Sequence, residues 1–343
     1  MMSTTTGEPG LRIELPDETA SERLAAGLAM LVGQGDLIAL EGDLGTGKTT
    51  IARSFIRTLA DQPDLEVPSP TFTLVQTYDL NGTSVAHMDF YRLEEPGEID
   101  ELGLDEALEA GPVIVEWPSR AAGVLPGGGL LIELSERDGG RSAHLTSDSE
   151  SWIQRLGKLQ HIDNLLTASG WHTATRHKMP ADASSRRYER LSGGPDGAAG
   201  LLMDMPARPD GEPVHNGLPY SRIAHLAEDI RAVEAINRGL QAQGLSAPEI
   251  HAIDTRNGLA VIEDFGAVSF RSLLDDQEQF SLCLAAAVMM LASSAQSDWP
   301  DQVELSSGEV YRLPHYDLDA LLIEVELCLD WYWPHVCNAP LQS

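Results

Sequence analysis

The chain is 343 residues long, which is enough for two domains, and its net charge is −30 at pH 7. A surface this acidic repels phosphate backbones, which argues against broad nucleic-acid binding by the chain alone. The acid excess either maintains solubility or forms a face that docks a basic partner. The three cysteines are scattered, the first ten residues lack signal-peptide character, and no apolar run reaches the ~18–20 residues that span a bilayer. We therefore expect a cytoplasmic protein that does not bind membranes.

Apolar runs alternate with helical patterns through the first half of the chain. Residues 36–41 (DLIALE) predict a strand, and after a glycine-rich turn residues 50–59 have helical periodicity. Further buried strands are predicted at 84–88, 112–115 and 130–134. This alternation predicts an α/β fold whose mostly parallel sheet is covered by helices.

The glycine-rich turn carries the sequence GDLGTGKT at 42–49, which matches the phosphate-loop pattern G-x-x-x-x-G-K-[ST]. Its glycines let successive backbone N–H groups point at phosphate oxygens, and the helix that starts at Lys48 adds its positive N-terminal end. Lys48 is placed to neutralise the β- and γ-phosphates, and the Thr49 hydroxyl to bind magnesium. The motif predicts a site for ATP and Mg²⁺. Its candidate nucleotide-binding residues are Gly42, Asp43, Leu44, Gly45, Thr46, Gly47, Lys48, Thr49 and Thr50.

A phosphate loop of this kind needs a second magnesium anchor, usually a carboxylate at the end of a neighbouring buried strand. Two residues fit that description, since Glu116 follows the run 113–115 and Asp89 follows the run 85–88. The residue types alone do not decide between them. His87 lies beside the site, but phosphoryl transfer depends mainly on positioning and charge stabilisation, so we interpret His87 as a packing residue of the strand.

Four sequence blocks occur in the order and spacing of one family. They are GDLGTGKTT at 42–50, SPTFTLV at 69–75, HMDFYRL at 87–93 and VEW at 115–117. Over about residues 11–145 the chain resembles the TsaE (YjeE) family. The resemblance implies a P-loop ATPase subunit of the bacterial machinery that makes threonylcarbamoyladenosine beside the tRNA anticodon. It also implies two partners, a catalytic transferase subunit (TsaD) and its paralogue (TsaB), with tRNA reached only through their complex.

The same resemblance implies roles for individual residues. Thr49 and Glu116 resemble the magnesium-binding pair of the family. Thr71 is similar to the switch residue that senses the γ-phosphate, and Asp89 to the acidic residue needed for hydrolysis. Trp117 resembles the residue that packs on the adenine. We therefore expect Asp89 and Thr71 to act in the reaction step, and the other three residues to bind nucleotide or metal.

The second half begins with a different pattern. Residues 138–150 are polar, rich in Gly and Ser and without periodicity, which predicts a linker. An amphipathic helix is predicted at 152–169, and its apolar face consists of Trp152, Leu156, Leu159, Ile162 and Leu166. Beyond it, strands are predicted at 188–191, 200–203 and 259–262, and helices at 223–241 and 318–331.

Several blocks of the second half are similar to kinases of the aminoglycoside-phosphotransferase type, in particular to the subgroup that phosphorylates cell-wall amino sugars at the anomeric carbon. The blocks are DASSRRY at 182–188, LLMDMP at 201–206, VIEDFG at 261–266, LPHYD at 313–317 and DWY at 330–332. The resemblance covers about residues 156–334. From the residues alone, the segment 263–266 reads either as a hinge between kinase lobes or as an ordinary exit from a strand.

The chain departs from that kinase pattern at its most important point. The sequence holds no H-x-D-x-x-x-x-N catalytic loop, and such kinases need that loop and a later metal-binding Asp. We therefore expect three parts: a TsaE-like ATPase domain at 1–145, a linker at 146–155, and at 156–343 a truncated, partly formed kinase-like α+β domain. Its apolar face, which includes Leu321, Leu322, Val325 and Leu329, should be poorly covered.

Three functions are compatible with these features. The first is an ATP-hydrolysing subunit of the tRNA-modification machinery. The second is a nucleotide-gated assembly factor in which binding matters and turnover does not. The third is an amino-sugar kinase whose catalytic half is missing from this chain. The phosphate loop, Asp89 and Glu116 favour the first two functions, whereas the missing catalytic loop argues against the third.

Overall fold

A computed structural model describes residues 10–80, 82–121, 123–137, 139–180, 186–207, 209–227 and 229–337. The chain divides into two compact units, Met1–Lys178 and Met179–Ser343, called here the first and the second unit. This division falls later in the sequence than the predicted linker. The boundaries predicted for the two family segments, at 145 and 156, stay predictions.

The first unit is built around a seven-stranded sheet. Its strands are β1 (Leu11–Leu15), β2 (Leu37–Glu41), β3 (Val75–Leu80), β4 (Thr83–Asp89), β5 (Val113–Glu116), β6 (Leu130–Arg137) and β7 (Gly140–Thr146). They lie in the order β1-β7-β6-β2-β5-β4-β3. The central strands β6, β2, β5 and β4 run parallel, and antiparallel neighbours extend the sheet at both edges. This mixed α/β architecture, with its parallel centre, confirms the predicted fold class.

The described residues of the first unit form four α-helices: α1 (Glu18–Ala29), α2 (Lys48–Ala60), α3 (Leu104–Ala110) and α4 (Glu150–Ala168). The unit also contains a short strand, β8 (Thr175–Lys178). Helix α2 follows β2 directly and buries residues at helical spacing, among them Ile51, Phe55 and Ile56. The carboxyl ends of the parallel strands therefore meet the N-terminus of α2 at one edge of the sheet, where nucleotide sites of open α/β folds form.

The predicted linker at 138–150 is wrong, because most of it is strand β7. This strand pairs with β1 on one side and β6 on the other, and it buries Ala143 and Leu145. Arg137 pairs with Gly140 across the connection between β6 and β7. The sequence contained a signal for this hairpin, since Asp138-Gly139 is a dipeptide typical of two-residue turns. The polar composition of the segment concealed that signal.

The five apolar residues predicted for one face of α4 are all buried, which confirms that face: Trp152, Leu156, Leu159, Ile162 and Leu166. Trp152, Leu156 and Leu159 belong to the main core of the first unit. The guanidinium of Arg155 makes two hydrogen bonds to Asp36, of 2.5 and 2.9 Å, and lies 3.7 Å from the centre of the Trp152 ring. Helix α4 is thus anchored on the first unit, although the kinase-like resemblance begins within it.

We expect Trp152→Ala to destabilise the first unit by about 3–5 kcal/mol, because a fully buried Trp leaves a large cavity when it is truncated. The measurement is native-state hydrogen exchange of the β2 amides, which reports on the first unit by itself. Ile153→Ala is the matched control, since Ile153 is the next residue of the helix and is 57% exposed. Equal effects of the two substitutions would contradict the anchoring of α4.

The second unit is a smaller α+β assembly. Its strands are β9 (Arg187–Ser192), β10 (Gly200–Asp204), β11 (Pro213–His215), β12 (Leu218–Pro219), β13 (Ile250–Asp254), β14 (Leu259–Glu263), β15 (Gln302–Glu304) and β16 (Val310–Arg312). Its helices are α5 (Tyr220–Ile223), α6 (Ile230–Ala242), α7 (Gln277–Gln296), α8 (Leu318–Leu327) and α9 (Trp333–Cys337). Strands β13, β14, β10 and β9 lie side by side and antiparallel, and a small core of Met203, Met205, Ile230 and Ala260 packs there.

The predicted strands of the second unit are confirmed, but the helix predicted at 223–241 begins too early. Helix α5 ends at Ile223, and α6 starts after Asp229, whose carboxylate accepts a hydrogen bond from Arg231 N. An aspartate that caps a helix in this way fixes where the helix starts. At the end of the second unit, the helix predicted at 318–331 divides into α8 and a π-helical turn at Cys328–Tyr332, and α9 follows beyond the predicted range.

Helices α7 and α8 expose apolar side chains. Leu321, Leu322, Val325 and Leu329 are 42–51% exposed, which confirms that this face is poorly covered. By length and composition alone, α7 is long and apolar enough to cross a membrane, with a mean hydropathy of 1.4, and none of its residues is buried. The prediction that no such segment exists is therefore wrong on these criteria. Polar Gln, Glu and Ser residues interrupt the apolar run without lowering its average enough, and the buried core helix of a soluble protein meets the same criteria.

Candidate nucleotide site

The phosphate loop occupies the turn between β2 and α2, as its motif predicts. Gly45 and Gly47 have φ values of +87° and +98°, a left-handed conformation that favours glycine. At Gly42 a Cβ atom would lie 2.5 Å from the Leu134 carbonyl oxygen, so only glycine fits there. The loop leads into the N-terminus of α2, whose free N–H groups and helix dipole favour a bound anion.

The Lys48 side chain is held inside this loop. Its Nζ donates to the carbonyl oxygens of Gly42, at 2.6 Å, and Asp43, at 2.9 Å. Burial lowers the pKa of Lys48, and the neighbouring carboxylates, with Glu116 contributing most, act in the opposite direction. The loop thus holds one nearly buried cation beside the anion-binding end of α2. The remaining candidates of the motif include Leu44, which is exposed, and Thr50, which lies in the first turn of α2.

Glu116 is brought to Thr49 by the sheet. The Thr49 hydroxyl lies 2.9 Å from Glu116 Oε1 and 3.1 Å from Oε2, although the two residues are 67 positions apart in the sequence. Glu116 ends β5, which runs parallel to β2, and its side chain is nearly buried. His87 Nε2 lies 3.0 Å from Glu116 Oε1. Of the two carboxylates left open by the sequence, Glu116 is the one that contacts Thr49.

Asp89 lies next to Glu116 in the register of β4 and β5 but has different partners. Its Oδ2 accepts hydrogen bonds from Thr71 Oγ1 at 2.6 Å and from Ser69 Oγ at 3.1 Å, and its Oδ1 accepts one from Tyr91 N at 3.0 Å. The SPT segment is therefore tied to this carboxylate. Sequence reasoning did not single out Ser69 or Tyr91. Both residues belong to the sequence blocks at 69–75 and 87–93, next to the candidates Thr71 and Asp89, and that membership is the signal that could have suggested them.

Aromatic side chains close one side of the site. The Trp117 ring centre lies 3.7 Å from Lys48 Nζ, and the Tyr91 ring packs on Trp117 with a centroid distance of 5.0 Å. Trp117 itself has a φ of +61°, which turns the chain sharply after Glu116. In this structure Trp117 contacts the phosphate-loop cation. Its role in packing on adenine stays a prediction.

The donors fit a magnesium ion that arrives with nucleotide phosphates. Within the described ranges, no three His, Cys, Asp or Glu side chains come together as a metal site. The site instead offers the Thr49 hydroxyl and the Glu116 carboxylate, which touch each other. Mg²⁺ prefers oxygen ligands and usually keeps several waters, so one or two protein oxygens plus phosphate oxygens suffice. The chemistry of this pair is therefore compatible with Mg²⁺ bound to ATP.

The kinase-like blocks of the second unit form no comparable site in the described part of the chain. Residues 182–185 of the predicted nucleotide loop lie outside the described residues. Arg190 Nε donates to Asp264 Oδ2 at 2.7 Å and so links β9 to the segment predicted as a hinge. Asp317 accepts a hydrogen bond from Ala320 N at 2.9 Å and caps α8. These contacts stabilise local structure.

Comparison with known proteins separates the two halves of the chain. The family model "Threonylcarbamoyl adenosine biosynthesis protein TsaE" matches residues 15–143. The C-terminal part is similar to an N-acetylmuramate/N-acetylglucosamine kinase of Caulobacter vibrioides, with 32% identity over 175 residues. That match covers 48% of this chain and 47% of the kinase. The predicted combination of a TsaE-like and a kinase-like part is thus confirmed.

Individual TsaE proteins resemble the first half closely. The tRNA threonylcarbamoyladenosine biosynthesis protein TsaE of Rickettsia felis is 40% identical over 103 residues, which is 30% of this chain and 60% of that protein. The TsaE of Bacillus subtilis is 35% identical over 153 residues, and the match spans 44% of this chain and 92% of that protein. With the phosphate loop, Glu116 and Asp89 assembled at one edge of the sheet and a TsaE protein matched over nearly its whole length, the chain belongs to the TsaE family.

Proposed function

We propose that this chain binds ATP with Mg²⁺, hydrolyses it, and in doing so serves the threonylcarbamoyladenosine modification of tRNA beside the anticodon. The observation that carries the proposal is the contact of Thr49 with Glu116 at the N-terminus of α2. A hydroxyl and a carboxylate so placed beside a phosphate loop are the protein ligands that P-loop ATPases use for magnesium. The biosynthetic role rests on family membership.

The groups at this site would have different roles in phosphoryl transfer. The loop amides and Lys48 would hold the β- and γ-phosphates, and Thr49 with Glu116 would hold the metal. Bound Mg²⁺ supplies charge neutralisation on the phosphate oxygens. Asp89 accepts a hydrogen bond from Thr71. This contact supports the proposal that Thr71 responds to the γ-phosphate and that Asp89 orients the attacking water.

We propose TsaD-type and TsaB-type transferase subunits as the partners. The TsaE proteins of Rickettsia felis and Bacillus subtilis are biosynthesis proteins for this tRNA modification, which supports a place in the same machinery. A net charge of −30 supports indirect contact with tRNA, through the complex, since the chain alone would repel the phosphate backbone. We place the protein in the cytoplasm, without a membrane partner.

The experiment that tests this proposal is steady-state phosphate release from ATP, by the full chain alone and with a TsaD–TsaB pair. Turnover that requires Mg²⁺ and increases with the pair is the expected result. Tight ATP binding without turnover, both alone and with the pair, would contradict hydrolysis and support the alternative function, a nucleotide-gated assembly factor. Absence of ATP binding would refute both functions.

We expect the chain to have no amino-sugar kinase activity. Phosphoryl transfer to a sugar hydroxyl needs a carboxylate that accepts its proton, and loss of such a base typically costs ~10²–10⁴-fold in rate. The 343 residues contain no H-x-D-x-x-x-x-N segment, and Asp317 is engaged as a helix cap. The assay offers N-acetylmuramic acid and N-acetylglucosamine to the Lys48→Ala variant, in which the first ATP site is silenced. The Caulobacter vibrioides kinase is the positive control, and turnover above background would establish the kinase function.

A further inference from the structure

His87 is a fully buried histidine with an unusual set of contacts. It lies in the interior of β4, between Gln76 of β3 and Ile114 of β5 in the strand register, and has no exposed surface. Its Nε2 lies 3.0 Å from Glu116 Oε1. Within the described part of the chain, its buried Nδ1 has no hydrogen-bond partner. Simple packing does not account for this imidazole, because an apolar side chain would fill the same place without a buried polar atom.

The contact with Glu116 determines which ring nitrogen carries the hydrogen. A carboxylate only accepts hydrogen bonds, so Nε2 must be the donor in this pair. A neutral imidazole with hydrogen on Nε2 has an unprotonated Nδ1, which is the atom left without a partner. The imidazole of His87 therefore donates one N–H group to Glu116, while its second ring nitrogen is buried without a hydrogen-bond partner among the described residues.

The His87 donor would keep the Glu116 carboxylate in place when the Thr49 hydroxyl binds a magnesium ion instead of Glu116. In the described structure its carboxylate is hydrogen-bonded to two side chains, Thr49 and His87. If the Thr49 hydroxyl turns to a magnesium ion, its bond to the carboxylate is lost and His87 remains. The imidazole is buried and bonded to Oε1, so it would continue to hold that oxygen, while Oε2 would lose its hydrogen bond to Thr49 and become available to a cation.

We propose that His87 is a positioning residue, which orients the Glu116 carboxylate for magnesium. The inference rests on the proposed function, since it assumes that Glu116 takes part in Mg²⁺-dependent ATP binding. Hydrogen-bond partners of metal ligands fix ligand orientation, and their loss typically reduces metal affinity ~10–100-fold.

The test compares variants that keep or remove the N–H group at the Nε2 position. His87→Gln places an amide nitrogen near the original Nε2, whereas the shorter His87→Asn places one near Nδ1, out of reach of Glu116. His87→Leu removes the polar group altogether. His144→Leu is the matched control, because His144 is another buried sheet histidine beside a glutamate, Glu133, at 3.4 Å.

The measurement is calorimetric ATP binding by the full chain, in EDTA and across a Mg²⁺ titration. For His87→Leu and His87→Asn, we expect a rise of about tenfold in the Mg²⁺ concentration that gives half of the maximal increase in ATP affinity. The ATP affinity in EDTA should be unchanged. His87→Gln and His144→Leu should match the wild type. Unchanged affinity in EDTA also shows that each variant is folded, and His87→Asn serves if His87→Leu fails that check.

Two results would overturn the inference while leaving the proposed function intact. The first is a wild-type Mg²⁺ midpoint in both His87→Asn and His87→Leu. The second is an equal shift in His87→Gln, which would indicate packing as the role of His87. Glu116→Gln, measured in parallel, tests the proposed function separately from the role of His87, since it must weaken the Mg²⁺-dependent increase in ATP affinity if the proposed function is right. A wild-type chain without any Mg²⁺ dependence would overturn both proposals.

Discussion

Replacing Lys48 by alanine is expected to reduce ATP affinity at least ~100-fold, to the limit of detection. Hydrogen bonds between charged groups contribute ~1.5–3 kcal/mol each, and two bonds to phosphate oxygens would be lost. Lys48 is the one lysine of the phosphate loop, and in the structure it already lies at the N-terminus of α2 with its Nζ directed at loop carbonyls. ATP would draw Nζ from those carbonyls toward its own oxygens.

Isothermal calorimetry with ATP and Mg²⁺ measures this effect directly. Lys158→Ala is the control, since Lys158 lies on α4 and the substitution removes one positive charge at a position outside the loop. Circular dichroism of both variants verifies that the first unit is folded. ATP affinity equal to that of the wild type in Lys48→Ala would exclude Lys48 from the phosphate site.

Asp89→Asn is expected to lower the rate of ATP hydrolysis ~100-fold or more while leaving ATP affinity within a few-fold of wild type. A positioned carboxylate that orients or deprotonates a nucleophile contributes ~10²–10⁴-fold to rate. Asp89 contacts Ser69, Thr71 and the Tyr91 amide, and none of these is a residue of the phosphate loop. The asparagine keeps one acceptor oxygen for the Tyr91 N–H and presents its NH₂ group to the hydroxyls of Ser69 and Thr71, which can accept as well as donate, but it removes the charge.

Single-turnover hydrolysis and calorimetry on the same samples separate the chemical step from binding. Asp79→Asn is the matched control, because Asp79 is an exposed carboxylate of β3, paired with Ser84 in the same sheet. A loss of binding as large as that of Lys48→Ala would move Asp89 from the reaction step to the binding of nucleotide or metal.

Short-range patterns accounted for much of the fold and for the candidate residues of the site. The strand β2, the phosphate loop and α2 form one continuous segment, so their hydrogen bonds connect residues only a few positions apart. The apolar face of α4 was predictable for the same reason, since helical periodicity is local. Predictions failed where composition was the only guide, as at 138–150, where a polar strand was taken for a linker.

The sequence by itself determined that the chain has a phosphate loop at 42–49, because the glycines, Lys48 and Thr49 act within a single turn. The residue types left open which carboxylate meets Thr49, and the family resemblance favoured Glu116. The tertiary structure decided it, by bringing Glu116 to Thr49 and Asp89 to Thr71. That choice depends on the parallel register of β2, β5 and β4, which places Glu116 opposite Leu40 on one side and Asp89 on the other. This register is set by side-chain packing across the whole sheet. The contact of His87 with Glu116 depends on the same register, which is why the residue types along β4 gave no sign of it.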